Sequence, residues 1–275
     1  MIMQGLSSAF LFLLHAFVLT FSTSVSQSIF FKNFGFVVRI IAGNKIKVAP
    51  LDRNIVSKIK IPNLCNGITL AKISTAKVIL IDKNGKEMHR EALMYQKGTN
   101  KRLVKFTEPA DIKGIGFLSL PEDVNYVYLP AFKKSRRIAS HIKNQNFAGT
   151  DFTYEDMEAL TYSEKWEPEL LRKDEFHYVL KLTPRKGRTS DYSKLIMYAR
   201  TDNFYPEKIE YYDKAGNLCK ILTRRRIEKV GNYWIAIETE MKDLRKNHTT
   251  KLMLEDIKFD TNLSDDIFTL RNLER

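Results

Sequence analysis

The sequence lacks the residue patterns that most enzymes and metalloproteins require. It has only two cysteines, Cys65 and Cys219, which fit no metal or redox spacing; whether they pair in an exported protein is left open. The histidines do not cluster at metal-ligand spacing and stand at His15, His89, His141, His177 and His248. No phosphate-binding loop, dinucleotide fingerprint, nucleophile elbow or Cys–His pair is present. These absences argue against the common enzyme classes, though not against an unfamiliar hydrolase, and we predict no catalytic residue, no metal and no cofactor.

Charge is also absent from the start of the chain, where the first 31 residues contain no Asp, Glu, Lys or Arg. The apolar run at 9–21 has the length of a signal peptide and is short for a spanning helix. Ser24 and Ser26 flank Val25 as small residues flank a cleavage site. We therefore predict that residues 1–28 are a signal peptide for export. Because the first positive charges, Lys32 and Arg39, follow the apolar run, an uncleaved membrane anchor is the alternative.

The whole chain is basic, with 45 Lys and Arg against 32 Asp and Glu and a net charge of +13. Such an excess favours an acidic partner, which can be an anionic lipid, a nucleic acid or an acidic protein surface. An exported chain seldom meets nucleic acid, so we predict no nucleic-acid partner.

Strand signals dominate beyond residue 70. Asn84-Gly85 supplies the tight turn of a hairpin between two apolar alternating segments. Eleven segments have strand character, at 77–82, 87–97, 102–106, 115–120, 125–129, 176–183, 194–200, 208–213, 219–226, 233–241 and 251–259. So many antiparallel strands exceed what one flat sheet usually carries, which predicts a sheet curled into a barrel or part of one.

Two short helices are predicted between these groups of strands, at 135–160. The first is basic, with lysines and arginines at 133–137 beside the apolar Phe132 and Ile138. The second is acidic and opens with a capping box, in which Thr153 is the N-cap and Asp156 stands three residues on. These helices either cap an open barrel end or form a lid over an apolar cavity.

Several motifs in this order resemble one family. The segments KFTEPADIKGIGFL, YVYLPAFKKSRRI, NFAGTDFTYEDME, EKIEYYDKAGNLCK and FTLRNLER resemble the outer membrane lipoprotein-sorting proteins, relatives of the LolA and LolB lipoprotein carriers. The match runs from about residue 54 to residue 275. Ala148 and Thr150 depart from a more usual Met and Ser, while Gly149 and Asp151 are kept.

The resemblance implies a mainly β fold: a strongly curved antiparallel half-barrel of roughly eleven strands, with an apolar concave face and a lid of short helices near 133–160. The domains would be 1–28, a poorly patterned segment at 29–53, and the LolA-like domain at 54–275. It implies a monomeric periplasmic carrier or chaperone that binds a lipid or a lipidated protein and sorts it to the outer membrane. A membrane transporter or an outer-membrane receptor would be a further partner.

An acyl chain in water costs about 0.8 kcal/mol per exposed methylene, so a soluble carrier needs an apolar cavity and a removable cover. Apolar residues on strand faces and on the lid are the candidates for its lining: Phe106, Phe117, Tyr128, Ile138, Phe147, Phe152, Met157, Ile196 and Tyr198. The alternative for each is ordinary core packing. Arg136 and Arg137 are candidates for contacting a lipid headgroup or a partner; ion pairs with the acidic helix or simple solvation are their alternatives.

Four residues are predicted to shape the lid: Gly149, Asp151, Thr153 and Asp156. Asp151 would anchor the turn by accepting backbone N–H groups. The alternative to a carrier is a non-catalytic docking subunit of a membrane export machine. Its contact surface would be the basic segments at 222–229 and 244–251, which otherwise solvate strand ends.

Overall fold

The computed structural model describes residues 27–31, 36–41, 45–50 and 71–275. Their contacts divide into two units, Met1–Ile55 and Val56–Arg275. Most of the predicted signal peptide, and Cys65, lie outside the described residues, and the predicted domain limits stay predictions. Within the described residues, no helix is long and apolar enough to cross a membrane.

The first unit contains a three-stranded antiparallel sheet. Its strands are β1 (Gln27–Phe31), β2 (Phe36–Ile41) and β3 (Lys45–Pro50), in that spatial order. The sequence pattern had indicated no strand at 29–53, so these strands are an addition to the predicted architecture.

The second unit is built on one antiparallel sheet of thirteen strands. They are β4 (Ala71–Ile81), β5 (Glu87–Lys97), β6 (Lys101–Glu108), β7 (Gly116–Leu120), β8 (Val124–Leu129), β9 (Lys134–Arg137), β10 (Trp166–Lys173), β11 (His177–Pro184), β12 (Lys194–Arg200), β13 (Pro206–Tyr212), β14 (Leu218–Val230), β15 (Tyr233–Asp243) and β16 (His248–Phe259). Their order is β10 to β16, then β4 to β9. The first strand of this unit, β4, therefore lies in the middle of the sheet, and β9 and β10 form its two unpaired edges.

Helical structure in the second unit is short. Three one-turn α-helices are present among the described residues: α1 (Tyr154–Met157), α2 (Tyr162–Lys165) and α3 (Leu270–Leu273). Four 3-10 turns lie at Pro130–Phe132, Ser140–Ile142, Phe147–Gly149 and Asp265–Phe268.

The predicted count of eleven strands is too low, although each of the eleven predicted segments lies in a strand of the sheet. The two missed strands, β9 and β10, are the two edges. The hairpin at Asn84-Gly85 is present between β4 and β5, and of its two central residues Gly85 has the positive φ, +80°.

The predicted basic helix at 133–137 is wrong, because β9 occupies that position. Lys133 has a left-handed φ of +47° that ends the preceding turn, and Arg136 then pairs with Val127 of β8. The free backbone groups along β8 need partners, which outweighs a weak helical pattern. Cations on an edge strand also discourage pairing with a further chain.

The sheet curves around one of its faces. Leu254, Ala76, Ala92 and Phe106 are successive partners on β16, β4, β5 and β6, so their side chains share a face, here called the inner face. Strands β6 and β13 are six positions apart and would be about 29 Å apart in a flat sheet. Residues from both line one cavity on the inner face, which requires a strongly curled sheet.

The outer face carries a second, smaller core. Leu103 and Leu118 project from the opposite side of β6 and β7 and pack with Phe268 and Leu273 of the C-terminal segment. Leu273 is fully buried, and a Cβ on Gly116 would lie 2.6 Å from its methyl carbon. A glycine at 116 therefore lets α3 lie close against the outer face of β7.

Candidate functional site

A cavity of about 250 Å³ lies on the inner face. Its apolar lining comes from both halves of the sheet and from the connection between the two edge strands: Val78, Ala92, Met94, Val104, Phe106, Phe147, Phe152, Met157, Leu222, Ile235, Ala236, Leu252 and Leu254. Binding cavities for small molecules are concave and mostly apolar, with few polar groups. This cavity is the candidate ligand site.

Residues 138–165, here called the covering segment, connect edge strand β9 to edge strand β10 across the inner face. The segment contains two 3-10 turns, α1 and α2, and no continuous helix. Ala148 and Gly149 both have positive φ, +46° and +75°, so the chain turns sharply just before α1. Gly149 adopts this conformation at the least steric cost, as predicted for a turn within the segment.

An aromatic cluster lies where the covering segment meets the inner face of the sheet. The rings of Phe106 and Phe147 stack with centroids 5.6 Å apart, and Phe117 and Tyr154 each lie about 6 Å from Phe147. Phe117 and Phe147 are almost fully buried. Aromatic pairs at such distances add about 0.5–1.5 kcal/mol each beyond area burial.

Asp151 fixes the covering segment to β16. Its backbone N–H donates to the hydroxyl of Thr250 at 2.8 Å, and that hydroxyl donates to the Asp151 carboxylate at 2.7 Å. His248 Nδ1 lies 2.7 Å from the same carboxylate oxygen. The sequence predicted that Asp151 accepts backbone N–H groups; among the described residues its carboxylate instead contacts the side chains of Thr250 and His248.

Lys220 adds a second attachment from β14. Its ammonium donates to the Asp151 carbonyl at 2.7 Å and to the Asp156 carboxylate at 3.2 Å. Lys220 and Asp156 side chains are 1% and 3% exposed, which makes this a buried ion pair. Burial and the Asp156 charge raise the pKa of the neighbouring Tyr192 well above its usual value, so its hydroxyl stays protonated and donates to Asp156 at 3.0 Å.

The predicted capping box of α1 is present. Asp156 N–H donates to the Thr153 hydroxyl at 3.2 Å, and the Asp156 carboxylate accepts the Thr153 N–H at 2.9 Å. The same carboxylate therefore caps the N-terminus of α1 and binds the sheet through Lys220. This dual use ties the local conformation of the covering segment to its docking.

Lys165 of α2 joins two buried carboxylates of the same segment. It lies 2.9 Å from Glu155 and 2.8 Å from Glu158. Burial opposes the charge of Lys165, but the two carboxylates outweigh it and raise its pKa. Burial also raises the pKa of Glu158, against the effect of Lys165 and of Lys143 at 2.6 Å. These contacts brace the segment internally.

Three cations line the cavity that the sequence analysis did not single out: Lys72, Arg102 and Arg224. They share the inner face with apolar residues, as Arg102 does with Val104 and Phe106 of the same strand. A charged residue in register with an apolar row is the sequence signal that indicates such a position.

Four of the predicted lining residues lie in the cavity wall: Phe106, Phe147, Phe152 and Met157. Phe117 and Ile138 belong to the buried cluster behind that wall. Three others lie on the outer face, away from the cavity: Tyr128, Ile196 and Tyr198. Tyr128 packs toward the C-terminal core, and Lys208 lies over the Tyr198 ring at 5.0 Å. Their strand positions alternate with inner-face neighbours, which places them on the other side.

The two predicted headgroup contacts, Arg136 and Arg137, lie exposed on edge strand β9. The Arg136 guanidinium lies 5.0 Å from the ring centroid of Phe132, which is 61% exposed. Cys219 is buried and its thiol donates to the Tyr211 carbonyl at 3.3 Å. Within the described residues, no group of three or more acidic, histidine or cysteine side chains has the arrangement of a metal site.

Comparison with solved structures places this architecture in a known class. The chain is 29% identical to an outer membrane lipoprotein-sorting protein domain from Vibrio parahaemolyticus (TM-score 0.69; 74% of this chain and 92% of that one). It is 26% identical to a DUF1329 family protein from Desulfovibrio piger (TM-score 0.69; 80% and 95%) and 22% identical to a LolA superfamily protein from Nitrosomonas europaea (TM-score 0.63; 74% and 91%). The fold is therefore that of LolA-like proteins.

A family model described as that of an uncharacterized protein matches residues 98–275. This match covers more than half of the chain, so the chain belongs to that family, and its solved relatives identify it as LolA-like. A search of curated proteins finds no match.

Proposed function

We propose that this protein is a periplasmic carrier that binds the acyl chains of a lipid or lipoprotein in the inner-face cavity and delivers them toward the outer membrane. The covering segment acts as the lid. The observation that carries the proposal is the largely apolar cavity covered by a connection that contains only one-turn helices and 3-10 turns. Transfer from water into such a cavity stabilises an acyl chain by about 0.8 kcal/mol per buried methylene.

The carrier function requires binding and release and no covalent chemistry. The covering segment must leave the inner face to admit a chain, so the contacts of Asp151, Asp156 and Lys220 are the ones that opening breaks. The resemblance to a lipoprotein-sorting domain supports delivery of a lipidated protein. A transporter that loads the carrier and a receptor that unloads it would be its protein partners, and the carrier itself would be a monomer.

The test is to purify the full chain from an envelope fraction and to identify bound molecules by native and lipid mass spectrometry. Phe152→Asp places a charge in the cavity wall at a half-buried position of the covering segment. Phe176→Asp is the matched control, because Phe176 is 66% exposed and lies outside the cavity. We expect acyl lipid or a lipidated protein with the wild type and the control, and its loss from Phe152→Asp. Equal lipid content in all three proteins contradicts the proposal.

A non-catalytic docking subunit of an export machine is the second candidate. It is favoured by an apolar and basic surface that Phe132, in the turn before β9, forms with Arg136 on this edge strand. The inner face is already partly filled by aromatic rings. Absence of lipid together with a stable envelope-protein complex, lost in Phe132→Ser, would favour this candidate over the carrier.

A further inference from the structure

The cavity contains positive charge that its own walls do not neutralise. Lys72 and Arg102 belong to one row of the inner face, because each is the register partner of Gln96 on β5. Adjacent strands lie about 4.8 Å apart, so the backbones of Lys72 and Arg102 are about 10 Å apart across β5. Arg224 reaches the same cavity from β14, on the other half of the curled sheet.

The three cations have few partners. Lys72 has no hydrogen-bond or ion-pair partner among the described residues. Arg102 donates to the Met157 carbonyl at 2.9 Å, and Arg224 to the Pro206 carbonyl at 2.8 Å. Arg224 also contacts the Tyr162 hydroxyl and lies 5.8 Å from the ring centroid of Tyr205. A guanidinium has five N–H donors, so each arginine keeps donors to spare.

The only carboxylate that lines the cavity within the described part of the chain is Asp156. It is engaged by Lys220 at 3.2 Å and by Thr153 and Tyr192. The other ionisable groups of the lining are the phenols of Tyr162, Tyr205 and Tyr211. Burial raises the pKa of Tyr211 well above its usual value, so this phenol stays neutral near pH 7.

The pKa values of Lys72 and Arg102 are lowered in this cavity. Burial and the nearby charge of Arg102 lower the pKa of Lys72 to about 8. Burial also lowers the pKa of Arg102; Tyr162 opposes this effect and Arg224 adds to it. Burial likewise opposes the charge of Arg224, but the phenols of Tyr162, Tyr205 and Tyr211 outweigh it and raise its pKa. The three cations are half-buried. Partly desolvated cations without a counter-charge are unfavourable, and an anion that enters the cavity relieves this cost.

We propose that Lys72, Arg102 and Arg224 bind the anionic headgroup, a carboxylate or a phosphate, of a single-chain amphiphile whose acyl chain occupies the apolar part of the same cavity. The ligand therefore enters with its charge inside, and the exposed arginines of β9 are not its headgroup site. This inference rests on the proposed carrier function and specifies the ligand's chemistry. Arginine pairs with either anion through two N–H donors, and lysine contributes a point charge.

The test measures binding of laurate, dodecyl phosphate and uncharged monolaurin to the delipidated full chain by isothermal titration calorimetry. Lys72→Gln removes the cation that has no partner among the described residues, and Arg102→Gln is a second variant. Lys105→Gln is the matched control, because Lys105 lies on the same strand as Arg102 but on the opposite face. Urea unfolding verifies that each variant is folded.

We expect Lys72→Gln to weaken laurate binding at least tenfold, while monolaurin affinity stays within twofold and Lys105→Gln binds like the wild type. If Lys72→Gln weakens the binding of dodecyl phosphate more than that of laurate, the headgroup is a phosphate. If it weakens the binding of laurate more, the headgroup is a carboxylate. At pH 8.5 laurate binding should take up protons in the wild type and not in Lys72→Gln, which a merely structural role of Lys72 would not produce.

Two results overturn the inference in distinguishable ways. If laurate and monolaurin bind equally and neither depends on Lys72 or Arg102, the carrier proposal survives and the internal anion site is refuted. If none of the three amphiphiles binds the wild type, both the anion site and the carrier proposal fail.

Discussion

The buried pair of Lys220 and Asp156 gives the sharpest stability prediction. Removing one partner of a buried ion pair costs about 3–5 kcal/mol, because the other charge is left uncompensated. In Lys220→Met the Asp156 carboxylate keeps the Thr153 N–H at 2.9 Å and the Tyr192 hydroxyl at 3.0 Å, while the Asp151 carbonyl loses a donor at 2.7 Å. We therefore expect a loss at the lower end of this range, about 3 kcal/mol.

Urea unfolding followed by circular dichroism measures this loss. The matched control is Lys181→Met, which breaks an ion pair with Glu169 at 3.0 Å whose side chains are 37% and 63% exposed. Exposed pairs contribute about 0–1 kcal/mol, so the control should change little. In the Lys220→Met background, Asp156→Asn should cost much less than it does in the wild type, because the two residues are coupled.

The reasoning fails if Lys220→Met costs no more than the control, or if the effects of Lys220→Met and Asp156→Asn simply add. Hydrogen exchange of the α1 amides, Tyr154–Met157, adds a local measure. If the exchange rate rises more at these amides than in the central strands between the wild type and Lys220→Met, Lys220 holds the covering segment and not only the sheet.

Two further outcomes follow from burial. The pKa of Lys72 is about 8 in the folded protein and 10.5 when unperturbed, so the unfolded state holds more protons between these values and stability rises with pH. In urea unfolding, the free energy of unfolding of the wild type should rise by about 2 kcal/mol relative to that of Lys72→Met between about pH 8 and pH 10.5. A difference between the two proteins that does not change with pH would contradict this. Leu273→Ala should lower the free energy of unfolding by about 3 kcal/mol in thermal unfolding, since Leu273 is fully buried. Leu270→Ala in the same turn, where Leu270 is 39% exposed, should lower it by under about 1 kcal/mol. Equal losses would refute the role of α3.

The interior of the sheet is predictable from the sequence, and its edges are not. The eleven predicted strands are those with neighbours on both sides, where alternation of apolar residues is enforced by burial. Strands β9 and β10 pair on one side only, and most of their residues are exposed. Their apolar pattern is correspondingly weak. The local sequence of β9, with its lysines and arginines, is equally consistent with a basic helix, and only the pairing with β8 distinguishes the two.

The site was predictable where its signals are local. The capping box of Thr153 and Asp156 depends on residues three apart and is found as predicted. The attachment of Asp151 to His248 and Thr250 joins positions nearly a hundred apart in sequence, and no local pattern carries it. The same holds for Lys72, Arg102 and Arg224, whose convergence depends on the curvature of the sheet.

The strand order has a consequence for how the chain folds. Strands β4 to β9 and β10 to β16 are each a run of sequential neighbours, so both halves can form through short loops. The β4–β16 pair joins residues such as Ile81 and Thr249, which are far apart in sequence, and closing so long a loop is slow. We expect this pairing to come last. Until it forms, two free edges and two apolar faces are exposed at once, and this interval is when the chain is most prone to aggregate.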